Sequence, residues 1–216
     1  MGLDWQPLGK PKPGHEAEFE DLFMELFIHQ QHDQAKHARL SAIEISPYET
    51  IGAPRVGFDP AADRWASEQY PKRPWRKLFV SRRKFMRVFH GYYVMDLAPP
   101  SDGVPPYTNG GIGSYCEVFA FRGKFLESCE DVLGETLLHE AWVSHNATDL
   151  REYGAKLRDR AVAYAEREQV SDVLPLRDPP DHVDAEKPAG QAHIVISAAR
   201  WCAFWSERGH GMIADF

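Results

Sequence analysis

Three sets of residues in this sequence have the types and spacing to do chemistry, and the first is a run of unopposed cations. Between Gln69 and Met95 stand Lys72, Arg73, Arg76, Lys77, Arg82, Arg83, Lys84 and Arg87, with no Asp or Glu among them. The formal net charge of the chain is −7, so without these eight cations it would stand at −15. Charge separated this sharply sets up a field that steers an acidic partner, or it folds back onto the acidic remainder. On a helix drawn at about 100° per residue, Trp75, Leu78, Phe79, Phe85, Met86 and Phe89 share one half, and Arg76, Lys77, Arg83, Lys84 and Arg87 the other. Five cations over about four turns neutralise several anionic groups at once, with steep salt dependence. The plain alternative is a helix face charged for solvation, against which the complete lack of acids speaks. A pI of about 5.8 for the whole chain lacks the basic footprint of a nucleic-acid binder, so an acidic protein or another anionic macromolecule is the expected partner.

The second set consists of polar residues that fall on apolar stripes. Arg82 lies mid-way along the apolar half of that basic helix, where a guanidinium needs a carboxylate or several carbonyls. The stripe Phe19, Leu22, Phe23, Leu26 runs on into Gln30, Asp33 and His37. In the same way Phe125, Cys129, Val132 and Leu133 lead to Thr136 and Glu140. Burying such groups without partners costs on the order of several kcal/mol, so they either converge on a wet cleft or overhang the core into water. A cleft of Asp33, His37, Arg82 and Glu140 would suit hydrolysis: Arg82 binds an anionic group, His37 acts as general base or ligand, and the carboxylates orient it. If the helix ends overhang instead, a structural ion pair satisfies Arg82.

The third set is the histidines, of which there are 10. His29, Asp33 and His37 are spaced to share a metal from one helix face, and His139-Glu140 could add ligands. The HExxH spacing is missing, since the next histidine after His139 is His145, and no ligand set closes. No metal and no cofactor is therefore assigned. Asp96 and Glu117 form a weak carboxylate couple, and Gly110-Gly111-Ile112-Gly113 precedes a strand rather than the helix a phosphate loop requires. Cys116, Cys129 and Cys202 contain no CxxC; they read as reduced thiols, the first two on core stripes where thiols are inert.

The elements that must position these residues are mostly helical. Residues 1–14 read as an extended Pro/Gly-rich leader on the surface, followed by a long helix from about His15. Asp59-Pro60 starts a second helix to about Tyr70, with the carboxylate as cap, and the basic helix covers about 74–89. Strands are expected at Tyr92–Leu97 and Ser114–Phe121, and Ile43 and Ile45 could open another. Between the two strands, residues 98–113 hold four prolines and four glycines, a stiff loop that presents Asp102, Tyr107 and Asn109 to a partner. Helices follow over Phe125–Trp142 and Asp149–Glu168, then a Pro-rich acidic loop at 171–191, then a buried helix from His193 to Arg208 that Gly209 stops.

These elements predict an α+β fold: one mostly helical domain over 15–216, packed around a small antiparallel sheet. No apolar run reaches the roughly 18 residues of a membrane span, and the first residues lack a secretory pattern, so a cytoplasmic location is expected. The preferred reading is a binding protein that offers the basic helix, and with it the Pro/Gly loop, to an acidic macromolecule. Inhibitor and immunity-type proteins share that profile. The competing reading is the hydrolytic cleft of Asp33, His37, Arg82 and Glu140.

Overall fold

The Pro/Gly-rich leader is extended, but it is built into the core instead of lying over the surface. In the computed structural model, which describes residues 2–69, 81–101, 103–104, 115–179 and 184–216 (backbone only for Arg82), β1 (Asp4–Pro7) pairs antiparallel with β4 (Met212–Asp215). Trp5 also exchanges both backbone hydrogen bonds with Phe121, and Met212 does so with His145, which widens the ladder on either side. Alternation along β1 turns Trp5 and Pro7 inward and Asp4 and Gln6 outward. The buried Trp5 indole donates to the Ala141 carbonyl at 2.8 Å and packs on Phe121, Tyr153 and Trp201. Apolar residues at positions 3, 5 and 8 outweigh the turn-forming composition around them, because burying an aromatic ring returns more than a solvated turn does.

A second short ladder joins β2 (Lys10–Pro11) to β3 (Glu44–Ile45). Between them α1 (Glu16–Phe23) continues as a π turn over Met24–Ile28, and Phe19, Leu22, Phe23 and Leu26 bury the expected stripe against Leu8, Leu40 and Ile43. The long helix stops there. Gln30 adopts a left-handed backbone (φ 51°), and Asp33 starts a separate helix, α2 (Gln34–Ile43), by accepting from the Ala35 and Lys36 amides at 2.8 and 3.2 Å. An Asp side chain that satisfies two orphan helix amides is a strong local start signal, and it overrides the hydrophobic period.

Contacts divide the chain into two units, one of Met1–Pro47 with Ser101–Phe216 and the other of Tyr48–Pro100. α3 (Pro47–Thr50) leads into the second. Its core is small: Ala62 and Ala66 of α4 (Pro60–Glu68) meet Val56 and Val94, and Trp65, Met86 and Phe89 close over them. Pro60 opens α4 as expected, but the Asp59 carboxylate accepts from the Arg55 amide instead of capping the helix. α5 (Arg82–Phe89) starts at Ser81, whose hydroxyl accepts from the Lys84 amide. The part of the expected basic helix before residue 81 lies outside the described residues. The strand expected at Tyr92–Leu97 is reduced to one bridge, Tyr93 to Arg55, followed by a 3-10 turn over Met95–Leu97. Its partner segment is hemmed in by Gly52 and Gly57, both at positive φ, and is too short for a longer ladder.

In the other unit the strand expected at 114–121 is instead a tight hairpin over 115–122. Arg122 donates to the Tyr115 carbonyl and Glu117 to that of Ala120. A 3-10 segment (Gly123–Cys129) runs into α6 (Glu130–Glu140), which is broken at Gly134 (φ 69°, ψ 166°). α7 (Ala147–Arg167) is capped by Asn146 and buries Leu150, Tyr153, Leu157, Ala161 and Tyr164, the stripe its spacing predicts. The closing helix α8 (Pro188–Ser206) is buried along most of its length, and Gly209 at φ 81° ends it. It starts earlier than His193, so the acidic loop is shorter than 171–191 and holds a 3-10 turn at Ser171–Val173. The fold is thus mostly helical α+β with two small two-stranded antiparallel sheets. Among the described residues no helix is long and apolar enough to cross a membrane.

Candidate functional site

α5 is amphipathic in the sense its sequence demands. Met86 and Phe89 pack on the small core of the Tyr48–Pro100 unit, while Arg83, Lys84 and Arg87 are exposed. Among the described residues of that unit no carboxylate pairs with any of the three. Four of the five acids of the unit are occupied differently, and the fifth, Glu68, is exposed at the end of α4. Glu49 accepts from the Tyr93 hydroxyl at 2.5 Å, Asp59 from the Arg55 amide, Asp63 from the Gly57 amide and Asp96 from the Trp65 indole. Ten basic residues face five acidic ones between Tyr48 and Pro100, a net charge of +5, which leaves the rest of the chain at −12. Charge segregation therefore follows the division into units, and Arg83, Lys84 and Arg87 of α5 are left to solvent.

At the C-terminal end of α5 an aromatic cluster adjoins these cations. The Arg55 guanidinium lies 4.7 Å from the Phe58 ring centroid and 5.0 Å from that of Tyr93, and its Nε donates to the Gly91 carbonyl at 3.0 Å. The other side of the cluster is His90, whose ring sits 5.5 Å from that of Phe58. Tyr93 stacks on Tyr48 at 5.2 Å. Burial, reinforced by the Glu49 carboxylate, pushes the Tyr93 hydroxyl up to about 12, so it remains a hydrogen-bond donor. Phe58 nevertheless stays 63% exposed and Tyr92 52% exposed, the latter stacked parallel on Trp65. Nothing in the local sequence marks Arg55 or Phe58, because beside their contact with each other they are held by Gly91, Tyr93 and His90, over thirty positions away.

The four residues of the competing cleft take different places. Asp33 is the N-cap of α2, and the exposed His37 one turn later lays its ring edge-on to Phe27. Neither continues the inward stripe of α1, since the chain breaks between them and it. Glu140 pairs with Lys156 at 3.1 Å, and among the described residues no hydrogen bond or ion pair links it to Asp33 or His37. The break at Gly134 likewise turns Thr136 out to solvent. A cavity of about 550 Å³ beside Glu140 is lined by Gly134, Thr136, Lys156, Asp159 and Arg160 and contains neither histidine nor cysteine. The Arg82 side chain lies outside the described residues, as do Arg76, Lys77, Asp102, Tyr107 and Asn109. His29 closes the π turn and is not on one helix face with Asp33 and His37. No three His, Cys, Asp or Glu side chains gather as a metal ion would require among the described residues.

The buried polar groups of the larger unit are structural. His193 accepts from the Tyr115 hydroxyl at Nδ1 and donates from Nε2 to the Leu176 carbonyl, which fixes a neutral tautomer, and burial lowers its pKa. His145 donates to the Glu140 carbonyl and His210 to that of Leu8. The three cysteines are buried and unbridged; desolvation pushes all three thiols up, that of Cys129 to about 12, which disfavours the thiolate a nucleophile needs. Comparison with protein-family models, curated proteins and solved structures finds no match to this chain.

Proposed function

We propose that the chain is a binding protein whose Tyr48–Pro100 unit docks an acidic macromolecule on the outer face of α5. The observation that carries this reading is the set Arg83, Lys84 and Arg87: exposed, on one side of a helix whose other side is packed, and without a carboxylate partner among the described residues, where four of the unit's five acids bind elsewhere. A solvated face gains from interspersed acids, which pair with the cations at i+3 and i+4; this face has none. A net charge of +5 confined to one unit also concentrates the field that draws in a polyanion.

The test is elution from immobilised heparin, a polyanion with no sequence of its own. Wild type is expected to need markedly more salt than Arg83→Glu/Lys84→Glu/Arg87→Glu, and a five-site variant that adds Arg76→Glu and Lys77→Glu should flow through. All three described positions are exposed, so the fold is retained, which circular dichroism checks. Equal elution of wild type and variants overturns the proposal.

A further inference from the structure

The whole-chain pI argues against nucleic acid only because it averages two units of opposite charge. Taken alone, the Tyr48–Pro100 unit has the basic footprint, with ten cations against five acids. It also carries what an acidic protein surface does not ask for, namely aromatic rings that are exposed and yet held rigid. Phe58 is fixed by the Arg55 guanidinium at 4.7 Å and by His90, while 63% of it remains open. Tyr92 lies parallel to Trp65 (interplanar angle 10°) and edge-on to Phe89, with its own surface half open. An exposed ring that wobbles loses entropy when something stacks on it; a braced ring has lost it already.

The cations lead to these rings. Arg83 and Arg87 stand with the C-cap residue His90 at i, i+4 and i+7 and so lie on one face over about 10 Å of helix, and the His90 ring packs beside Phe58. A row of cations that pairs with no carboxylate among the described residues and runs onto braced aromatic rings is the arrangement that tracks a phosphate backbone and stacks its unpaired bases. Duplexes hide the faces of their bases, so the rings select single strands. We infer that the anionic partner of this unit is a single-stranded nucleic acid, with phosphates along Arg83, Lys84 and Arg87 and a base on Phe58. The inference rests on the proposed docking role of α5 and adds the class of the partner.

Fluorescence anisotropy of the full chain with a labelled twelve-nucleotide oligo-dT, its oligo-rU counterpart, the matching duplex and a poly-glutamate peptide decides it. Expected are binding of both single strands, weaker binding of the duplex, and a slope of log K on log salt near −2, from about −0.7 for each of three phosphates. Phe58→Ala should weaken the oligonucleotides roughly 5- to 100-fold and leave poly-glutamate unchanged, whereas Phe58→Trp should restore them. Arg83→Glu/Arg87→Glu should flatten the salt slope. Equal affinity of wild type and Phe58→Ala for the single strands overturns the inference, and so does duplex binding as tight as single-strand binding. Binding of poly-glutamate without the oligonucleotides also overturns it and leaves the docking role of α5 standing. Binding of neither, together with equal heparin elution, removes both.

Discussion

Acidification from pH 7 to pH 5 should destabilise this protein by about 2 kcal/mol through His210 alone. The imidazole is fully buried, edge-on to Trp205, and donates from Nδ1 to the Leu8 carbonyl at 2.8 Å. Burial, with smaller contributions from nearby Lys10 and Arg208, brings its pKa down to about 4, against 6.5 for a free histidine. The folded state therefore holds the neutral ring, whereas the unfolded chain takes up a proton below pH 6.5. Stability is complete above that pH and is lost progressively as the pH falls toward 4, where the folded state titrates as well. Linkage between these two values gives a loss of about 2 kcal/mol between pH 7 and pH 5. His145 and His193, whose pKa values burial also lowers, push in the same direction, and Glu44, raised by burial, pushes the other way. Glu18, held near 2 by Arg39, gives up its contribution only below about pH 4.5 and leaves this window undisturbed. The assay is urea unfolding followed by tryptophan fluorescence at both pH values, for wild type and for His210→Gln, which keeps a donor but cannot be charged. The variant should lose about 2 kcal/mol less than wild type on acidification. Identical losses in the two proteins refute the argument.

Trp5→Ala should cost about 3–5 kcal/mol in urea unfolding, since it empties a site between Phe121, Tyr153 and Trp201 and orphans the Ala141 carbonyl. A surface leader would tolerate the change. Gly154→Ala should cost about 1–3 kcal/mol, because a Cβ there would stand 2.7 Å from Cys202 Cβ across the α7–α8 contact. Adding Cys202→Ala should bring no relief in thermal melts, as the obstructing atom is retained. Asp33→Ala should remove about 1 kcal/mol from α2, with Asp33→Ser recovering most of it, as read by urea titration.

Where burial and period agree, the helices were legible from the chain alone. α7 has Leu150, Tyr153, Leu157, Ala161 and Tyr164 inside, the set its spacing names, and α8 is a buried helix stopped by Gly209. The errors arise where a local device outranks the period. Asp33 caps a helix at a point where the apolar rhythm continues, and Gly134 breaks one where the rhythm asks for two more turns. The strand at 92–97 fails for a different reason: β propensity says nothing about whether a partner of equal length exists. In the candidate site, the charge run and its outward face are visible in composition and spacing. Arg55, Phe58 and His90 are not, since only the folded Tyr48–Pro100 unit brings them together.

The pairing of β1 with β4 bears on the route by which the chain folds. Gln6 meets Asp215 across 209 positions, whereas every contact that defines the Tyr48–Pro100 unit closes within that short stretch. Local contacts form at little entropic cost and distant ones late, so the inserted unit and the α7–α8 hairpin assemble ahead of the ladder that seats Trp5. Until that last step β4 presents an open edge, and the β1 of a neighbouring copy fits it as well as the chain's own. Dilute refolding favours closure within one molecule; crowded refolding favours exchange of β1 between two, giving swapped dimers with the same ladder and the same buried indole.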